Sequence, residues 1–224
     1  LASLHPILVD VATWESVFFV DEAEAELATL LDAAPLEGDE LEAYLRTLAE
    51  VVDALSPYTL GHSSSVARLA RRIGEHIGLE PEALERLYLA SLVHGVGRLS
   101  IPSSILEKRG GLSADEFEAL HAYPNLTRET LAPLRELAAV VDEASTHREK
   151  LDGSGYPDGR EGDAIPLVGR ILGVADTFVA LSSERPYRPA YSRSRAVAIV
   201  QAESARLFDG LVADALETVY REGF

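Results

Sequence analysis

His147-Arg148-Glu149-Lys150-Leu151-Asp152-Gly153-Ser154-Gly155-Tyr156-Pro157 sets a cluster of ionisable side chains directly ahead of a glycine-rich turn closed by Tyr-Pro. Two glycines within three residues permit positive φ and a close backbone approach to a ligand. Tyr156 offers an aromatic face for a base and a hydroxyl for a phosphate. The plainer reading is an ordinary turn between helices. Either way the stretch is a loop between helical segments: Leu134, Leu137 and Val141 mark a helix that ends near His147, and Leu167–Leu181 carries the next, with Ile171, Val174, Ala175 and Phe178 inward.

The helical pattern extends in both directions. Leu41, Tyr44, Leu45, Leu48, Val51, Val52 and Leu55 recur at helical spacing, and Pro57 closes that segment. Val66, Leu69, Ala70, Ile73 and Ile77 form a second, stopped by Gly78. Pro81 opens a third, running toward His94. Ser113 with Glu116 makes a capping box ahead of Phe117 and Leu120. Ser192 or Ser194 starts a later helix and Asp209 the last. No run shows sustained period-two alternation, so the expected fold is all-α, a helical bundle. Pro35-Leu36-Glu37-Gly38 reads as a break between an acidic helical lead-in, residues 1–38, and a main domain, residues 39–224.

The chain has 224 residues and a formal net charge of -17. Residues 1–50 hold 12 acids against the single base Arg46, so most of the negative charge lies there. This balance argues against direct nucleic-acid binding, which needs a basic surface. No apolar run is long enough to span a membrane, and no secretory leader is apparent. Cysteine is absent, which excludes disulfides and thiolate metal sites. The expected location is cytoplasmic. The chain begins at Leu1 and contains no methionine, so it is read as a piece of a longer protein.

Among chemistry-bearing residues, His62, His94, His147 and Asp176 fall on four helices or helix ends. Imidazole and carboxylate suit a first-row divalent ion. Each histidine taken alone also fits a surface or capping role. Arg185-Pro186-Tyr187-Arg188 is a second basic-aromatic cluster. Its arginines suit phosphate oxygens, or else a helix C-terminus.

Taken in order, these pieces resemble the HD-GYP family, metal-dependent phosphohydrolases that open cyclic di-GMP. Tyr58-Thr59-Leu60-Gly61-His62-Ser63 is similar to its opening Tyr-Thr-x-x-His-Ser, and Leu92-Val93-His94-Gly95-Val96-Gly97-Arg98 to its Leu-x-His-Asp-x-Gly-Lys block. Tyr123-Pro124 stands at its His-Pro, and His147–Pro157 resembles His-His-Glu-x-x-Asp-Gly-x-Gly-Tyr-Pro. Val174-Ala175-Asp176 and Arg185–Arg188 follow in the family's order. The resemblance implies an HD-type all-α bundle and a metal site at His62, His94, His147 and Asp176. Asp53 stands near a further family carboxylate. It also implies three lost ligand positions, where Gly95 replaces a bridging aspartate and Tyr123 and Arg148 replace histidines. His121 lies about 200° around a helix from Tyr123, so it is no substitute.

A two-metal mechanism needs ions ~3.5–4 Å apart. Losing the bridge and adding a fixed cation at Arg148 removes that geometry. The expectation is therefore a degenerate regulatory module. It would bind a cyclic dinucleotide through Arg98, Arg148, Gly155, Tyr156, Pro157, Arg185 and Arg188, or a protein partner, and the remnant metal site would be mostly empty. One alternative is a hydrolase using a single Fe, Mn or Zn ion. Another is a structural helical module that homodimerises.

Overall fold

The computed structural model describes residues 38–224. The acidic stretch expected as a lead-in, residues 1–38, lies outside them apart from Gly38. Ten α-helices follow in order: α1 (Gly38–Asp53), α2 (His62–Ile77), α3 (Pro81–Val93), α4 (Ser103–Leu106), α5 (Ala114–His121), α6 (Tyr123–Leu131), α7 (Ala138–Ser145), α8 (Leu167–Ser182), α9 (Arg193–Ala202) and α10 (Gly210–Arg221). Three 3-10 turns intervene, at Val96–Ser100, Arg135–Leu137 and Gly162–Ala164. No β-strand occurs among the described residues, so the fold is all-α. None of their helices is long and apolar enough to cross a membrane.

The boundaries follow local chemistry. Gly78 ends α2 at φ 85°, in the left-handed region where glycine escapes the Cβ penalty. Pro81 occupies the first turn of α3, where its missing N–H costs nothing. Ser113 and Glu116 close a reciprocal capping box on α5. The side chains of Ser192 and Asp209 cap α9 and α10, which resolves the choice between Ser192 and Ser194. The apolar residues 134–141 are divided: Leu137 closes a 3-10 turn and Val141 sits in α7.

Helix α8 is the axis of the bundle, packed by α2, α3, α7, α9 and α10. Val168, Ile171, Leu172, Val174, Ala175, Phe178 and Val179 are all buried, on more than one face of the helix. A helix apolar all round is an interior helix. Asp176 is buried in its middle. A carboxylate removed from water needs a partner charge or hydrogen-bond donors. The ends of α2, α3 and α7 and the start of α6 supply them.

Candidate metal and phosphate site

Four elements bring their ends to Asp176. His62 is the first residue of α2, held by an acid from another helix: the Asp53 carboxylate accepts Ser63 N–H and Ser63 Oγ–H, both at 2.8 Å. Asp53 is thus a buried cap for α2, with both oxygens engaged by Ser63. His94 caps the C-terminus of α3 and donates Nδ1–H to Ser91 O at 2.7 Å. His147 follows α7 and donates Nδ1–H to Ala144 O at 2.6 Å. Because a carbonyl only accepts, these contacts assign the protons of His94 and His147 to Nδ1 and leave Nε2 with a lone pair.

The three histidines then diverge. His62 Nε2 lies 2.9 Å from Asp176 Oδ1, and His94 Nε2 lies 3.8 Å from the same oxygen. Ligand atoms of His62, His94 and Asp176 fall within 4.8 Å of one another. His62 Nδ1 and His94 Nε2 are buried with no hydrogen-bond partner. Buried polar atoms without partners are costly, and an ion is one way to satisfy His94 Nε2. These three residues therefore fit one divalent metal.

His147 does not share that freedom. Its Nε2 accepts the Tyr123 hydroxyl, and the same hydroxyl accepts Arg148 Nε–H at 2.6 Å. Arg148 then reaches Asp176, with NH2 3.0 Å from Oδ2. That contact is ionic and lies off the N–H axis, since Oδ2 has no aligned hydrogen bond. The chain His147–Tyr123–Arg148–Asp176 runs along the side of the cluster where the family resemblance puts two further imidazoles. Its members do not fit a second metal: the lone pair of His147 is used, and a guanidinium cannot ligate a cation. At Gly95 there is room, since a Cβ there would lie 3.4 Å from Val52 Cγ1, an ordinary contact.

The electrostatics agree with neutral imidazoles around a charged pair. Burial lowers the His94 pKa to about 3. Burial also lowers those of His62 and His147, and the Arg148 charge adds to the effect on His147. For Asp176 burial acts upward, but Arg148 and the His62 hydrogen bond outweigh it and hold the carboxyl well below its usual range. Arg148 shows the mirror image, with burial opposed and overcome by Asp176 and Tyr123. Burial pushes the Tyr156 phenol up to about 12, so it remains a neutral donor.

The residues expected to bind ligand separate into two groups. Arg98 stands 5.2 Å over the Tyr123 ring, and Arg148 stands 5.7 Å from the same ring. Arg185 is half-buried, and among the described residues its guanidinium has one hydrogen-bond acceptor, Tyr58 O at 3.5 Å. Arg188 instead turns to the end of α8 and donates to Ala180 O at 2.6 Å and Leu181 O at 3.1 Å. That is the helix-terminus role weighed above for this cluster. Gly155 packs so tightly that a Cβ would fall 2.4 Å from Glu149 Cα and Lys150 N, so only glycine fits there. The Tyr156–Pro157 peptide is cis.

Two residues had no assigned role in the sequence reading. The buried Glu149 carboxylate accepts Asp158 N–H at 2.7 Å and Arg160 N–H at 3.1 Å, folding the loop back on itself. An acid inside a glycine-rich turn was its only sequence signal. His121 does not reach the cluster and stacks on Tyr156, with ring centroids 3.8 Å apart and planes 16° from parallel.

Comparison with known proteins points the same way. A profile described as HD domain matches residues 46–212. The chain is 38% identical over 180 residues to 3'3'-cGAMP-specific phosphodiesterase 1 of Vibrio cholerae, covering 78% of this chain and 42% of that protein. It is 36% identical over 176 residues to the cyclic di-GMP phosphodiesterase response regulator RpfG of Xanthomonas campestris, covering 77% and 46%. The chain thus spans less than half the length of these relatives. Among solved structures, an HDG"Y"P protein from Bdellovibrio bacteriovorus superposes with a TM-score of 0.65 at 13% identity, over 87% of this chain and 68% of that one. A cyclic GMP-AMP phosphodiesterase from V. cholerae gives 0.64 at 21%, over 82% and 49%. At those identities the structural likeness shows the fold.

Proposed function

The chain belongs to the HD domain family, and we propose that this member binds a cyclic dinucleotide without opening it, as a regulatory module. The observation that carries the reading is the Arg148 bridge between the Tyr123 hydroxyl and Asp176. A fixed guanidinium stands where a second metal would have to be held. It meets the charge requirement of Asp176 and repels a further cation. The same arrangement favours an anion. Arg98 and Arg185 have no carboxylate within ion-pairing distance among the described residues, and the charge of each helps to lower the His62 pKa. Arginine suits phosphate oxygens, with donors in a fixed fork. Tyr156 adds an aromatic face and a neutral hydroxyl. The relatives' named substrates, cyclic di-GMP and 3'3'-cGAMP, supply the ligand class.

One observation favours a second reading, a phosphodiesterase using a single ion. His62, His94 and Asp176 would hold that ion, and His94 Nε2 already lacks a partner. Bound there, it would polarise a phosphoryl oxygen and acidify a water. His62 would have to move its proton from Nε2 to Nδ1 to ligate through Nε2, and Asp176 would have to share itself with Arg148.

Calorimetry with cyclic di-GMP and 3'3'-cGAMP, metal analysis of protein purified without chelator, and product assays with added Mn2+ or Fe2+ separate the readings. The binding module gives heat and intact nucleotide. Turnover that tracks one bound ion per chain selects the second reading. No heat at high micromolar nucleotide removes the ligand from the first.

A further inference from the structure

Residues 102–122 form a segment with no buried side chain, between buried Ile101 and buried Tyr123. It contains α4 and α5, and neither helix buries a residue. Every side-chain hydrogen bond and ion pair that the segment makes among the described residues closes on itself. Lys108 Nζ meets Glu116 Oε2 at 2.5 Å, that oxygen accepts Ser113 N–H at 2.6 Å, and Ser113 Oγ accepts Glu116 N–H. Ile105, Leu106, Leu112 and Leu120 are only half-buried. An element with few buried apolar contacts opens at low free energy compared with the core.

One specific side-chain contact ties the segment to the site. His121 lies flat on Tyr156, and the ring of Phe117, 52% exposed, is centred 3.9 Å from that of His121 and tilted 46° to it. Tyr156 belongs to the loop that Glu149 folds, beside Arg148. An imidazole stacked on that ring uses a face to which a nucleobase is also matched, since any base presents a π-surface to an aromatic side chain.

We propose that His121 is a resident occupant of the base-binding face of Tyr156, and that this stack keeps residues 102–122 shut as a lid. The ligand's purine displaces His121, takes the face of Tyr156, and frees the segment while its phosphates meet the arginines. This rests on the reading of the site as one for cyclic dinucleotides. It adds which side chain must leave for the base to enter.

The test is hydrogen exchange and binding on the full chain for wild type, His121→Ala and His121→Phe, each with and without cyclic di-GMP. Without ligand, His121→Ala speeds exchange across 102–122 and leaves α6 unchanged. With ligand, wild type shows faster exchange in 102–122 and protection in the 152–160 loop. Removing the competitor tightens Kd roughly 3- to 10-fold, the range that one aromatic pair commands, and the larger ring of His121→Phe weakens it. Equal affinities in all three proteins, or a segment that slows when ligand binds, overturn the proposal. If no protein binds nucleotide, the ligand reading and the displacement fail together. The ligand-free arm then decides the lid alone: unchanged exchange in His121→Ala overturns it.

Discussion

Replacing Arg148 with alanine removes three things at once: the ionic contact with Asp176, the hydrogen bond to the Tyr123 hydroxyl, and the cation over the Tyr123 ring. Asp176 is 1% exposed and Arg148 28% exposed, so the acid is stranded while the base side remains wetted. Stranding one member of a fully buried pair costs about 3–5 kcal/mol. Partial exposure of Arg148 reduces this to about 2–3 kcal/mol. For a unit of this size each kcal/mol moves Tm by ~2–4 °C, so metal-free Arg148→Ala melts ~5–10 °C below wild type. The double-mutant cycle with Tyr123→Phe then measures whether the two residues act as one unit. A hydrogen bond from a charged donor predicts a coupling of about 1.5 kcal/mol. Removing the guanidinium also releases Asp176 toward an ion. Mn2+ or Zn2+ at ~100 Kd returns about 2.7 kcal/mol to the variant and less to wild type. Thermal shifts with and without metal read all three quantities. A metal-free Arg148→Ala that melts within a degree of wild type, or an additive cycle, refutes the reasoning that the pair neutralises Asp176.

Three further outcomes are expected. Burial holds His94 at about 3, below its unfolded value of ~6.5, so the unfolded chain takes up a proton that the native one refuses. Stability of chelator-treated protein therefore falls as pH drops below ~6.5, by about 2 kcal/mol at pH 5 from His94 alone; denaturant midpoints that stay flat between pH 7 and 5 contradict this. Glu149→Ala strands the Asp158 and Arg160 N–H donors and costs about 3 kcal/mol, with the largest rise in hydrogen exchange at residues 152–160; a rise spread evenly over the bundle would mean that Glu149 does not organise the loop. The triple variant Gly95→Asp, Tyr123→His, Arg148→His takes up more metal per chain than wild type in elemental analysis, because the space at Gly95 admits a side chain without backbone contact; a variant that stays metal-free shows that these are not the ligand positions.

Helix existence was legible because its signals are local. Gly78, Pro81, the Ser113–Glu116 box and Asp209 each act within a turn of their own position, and each appears in the structure where its chemistry requires it. The cluster of His62, His94 and Asp176 was legible only through resemblance, since no local spacing relates residues 32 and 82 apart. What escaped was side-chain direction across long contacts. Tyr123 and Arg148 read as two separate departures, whereas across 25 residues they share one hydrogen bond. His147 kept its identity but not its free lone pair. Arg188 kept its charge but directs it at backbone carbonyls. Periodicity reports which face of a helix is apolar. It does not report which polar atom satisfies which.

That distinction bears on how such a centre can change without unfolding the bundle. A buried carboxylate in the middle of α8 obliges the surroundings to present positive charge. Two divalent ions meet that demand in the mechanism the resemblance implies, and they bring their own need for further anionic and imidazole ligands. Substituting Arg148 meets it with one covalent cation. On the proposed reading of a non-hydrolysing module, the cation replaces the bridging carboxylate that the resemblance implies at position 95, and the lone pair of His147 is taken by the Tyr123 hydroxyl. On that reading the three departures are one exchange of counter-charge, with Arg148 as the step that makes the other two tolerable. The order is testable in protein: Gly95→Asp alone sets a carboxylate beside Arg98 and gains no stability from added metal, whereas in the Arg148→His background the same change is stabilised by added metal. If Gly95→Asp is neutral in both backgrounds, charge balance does not link these positions.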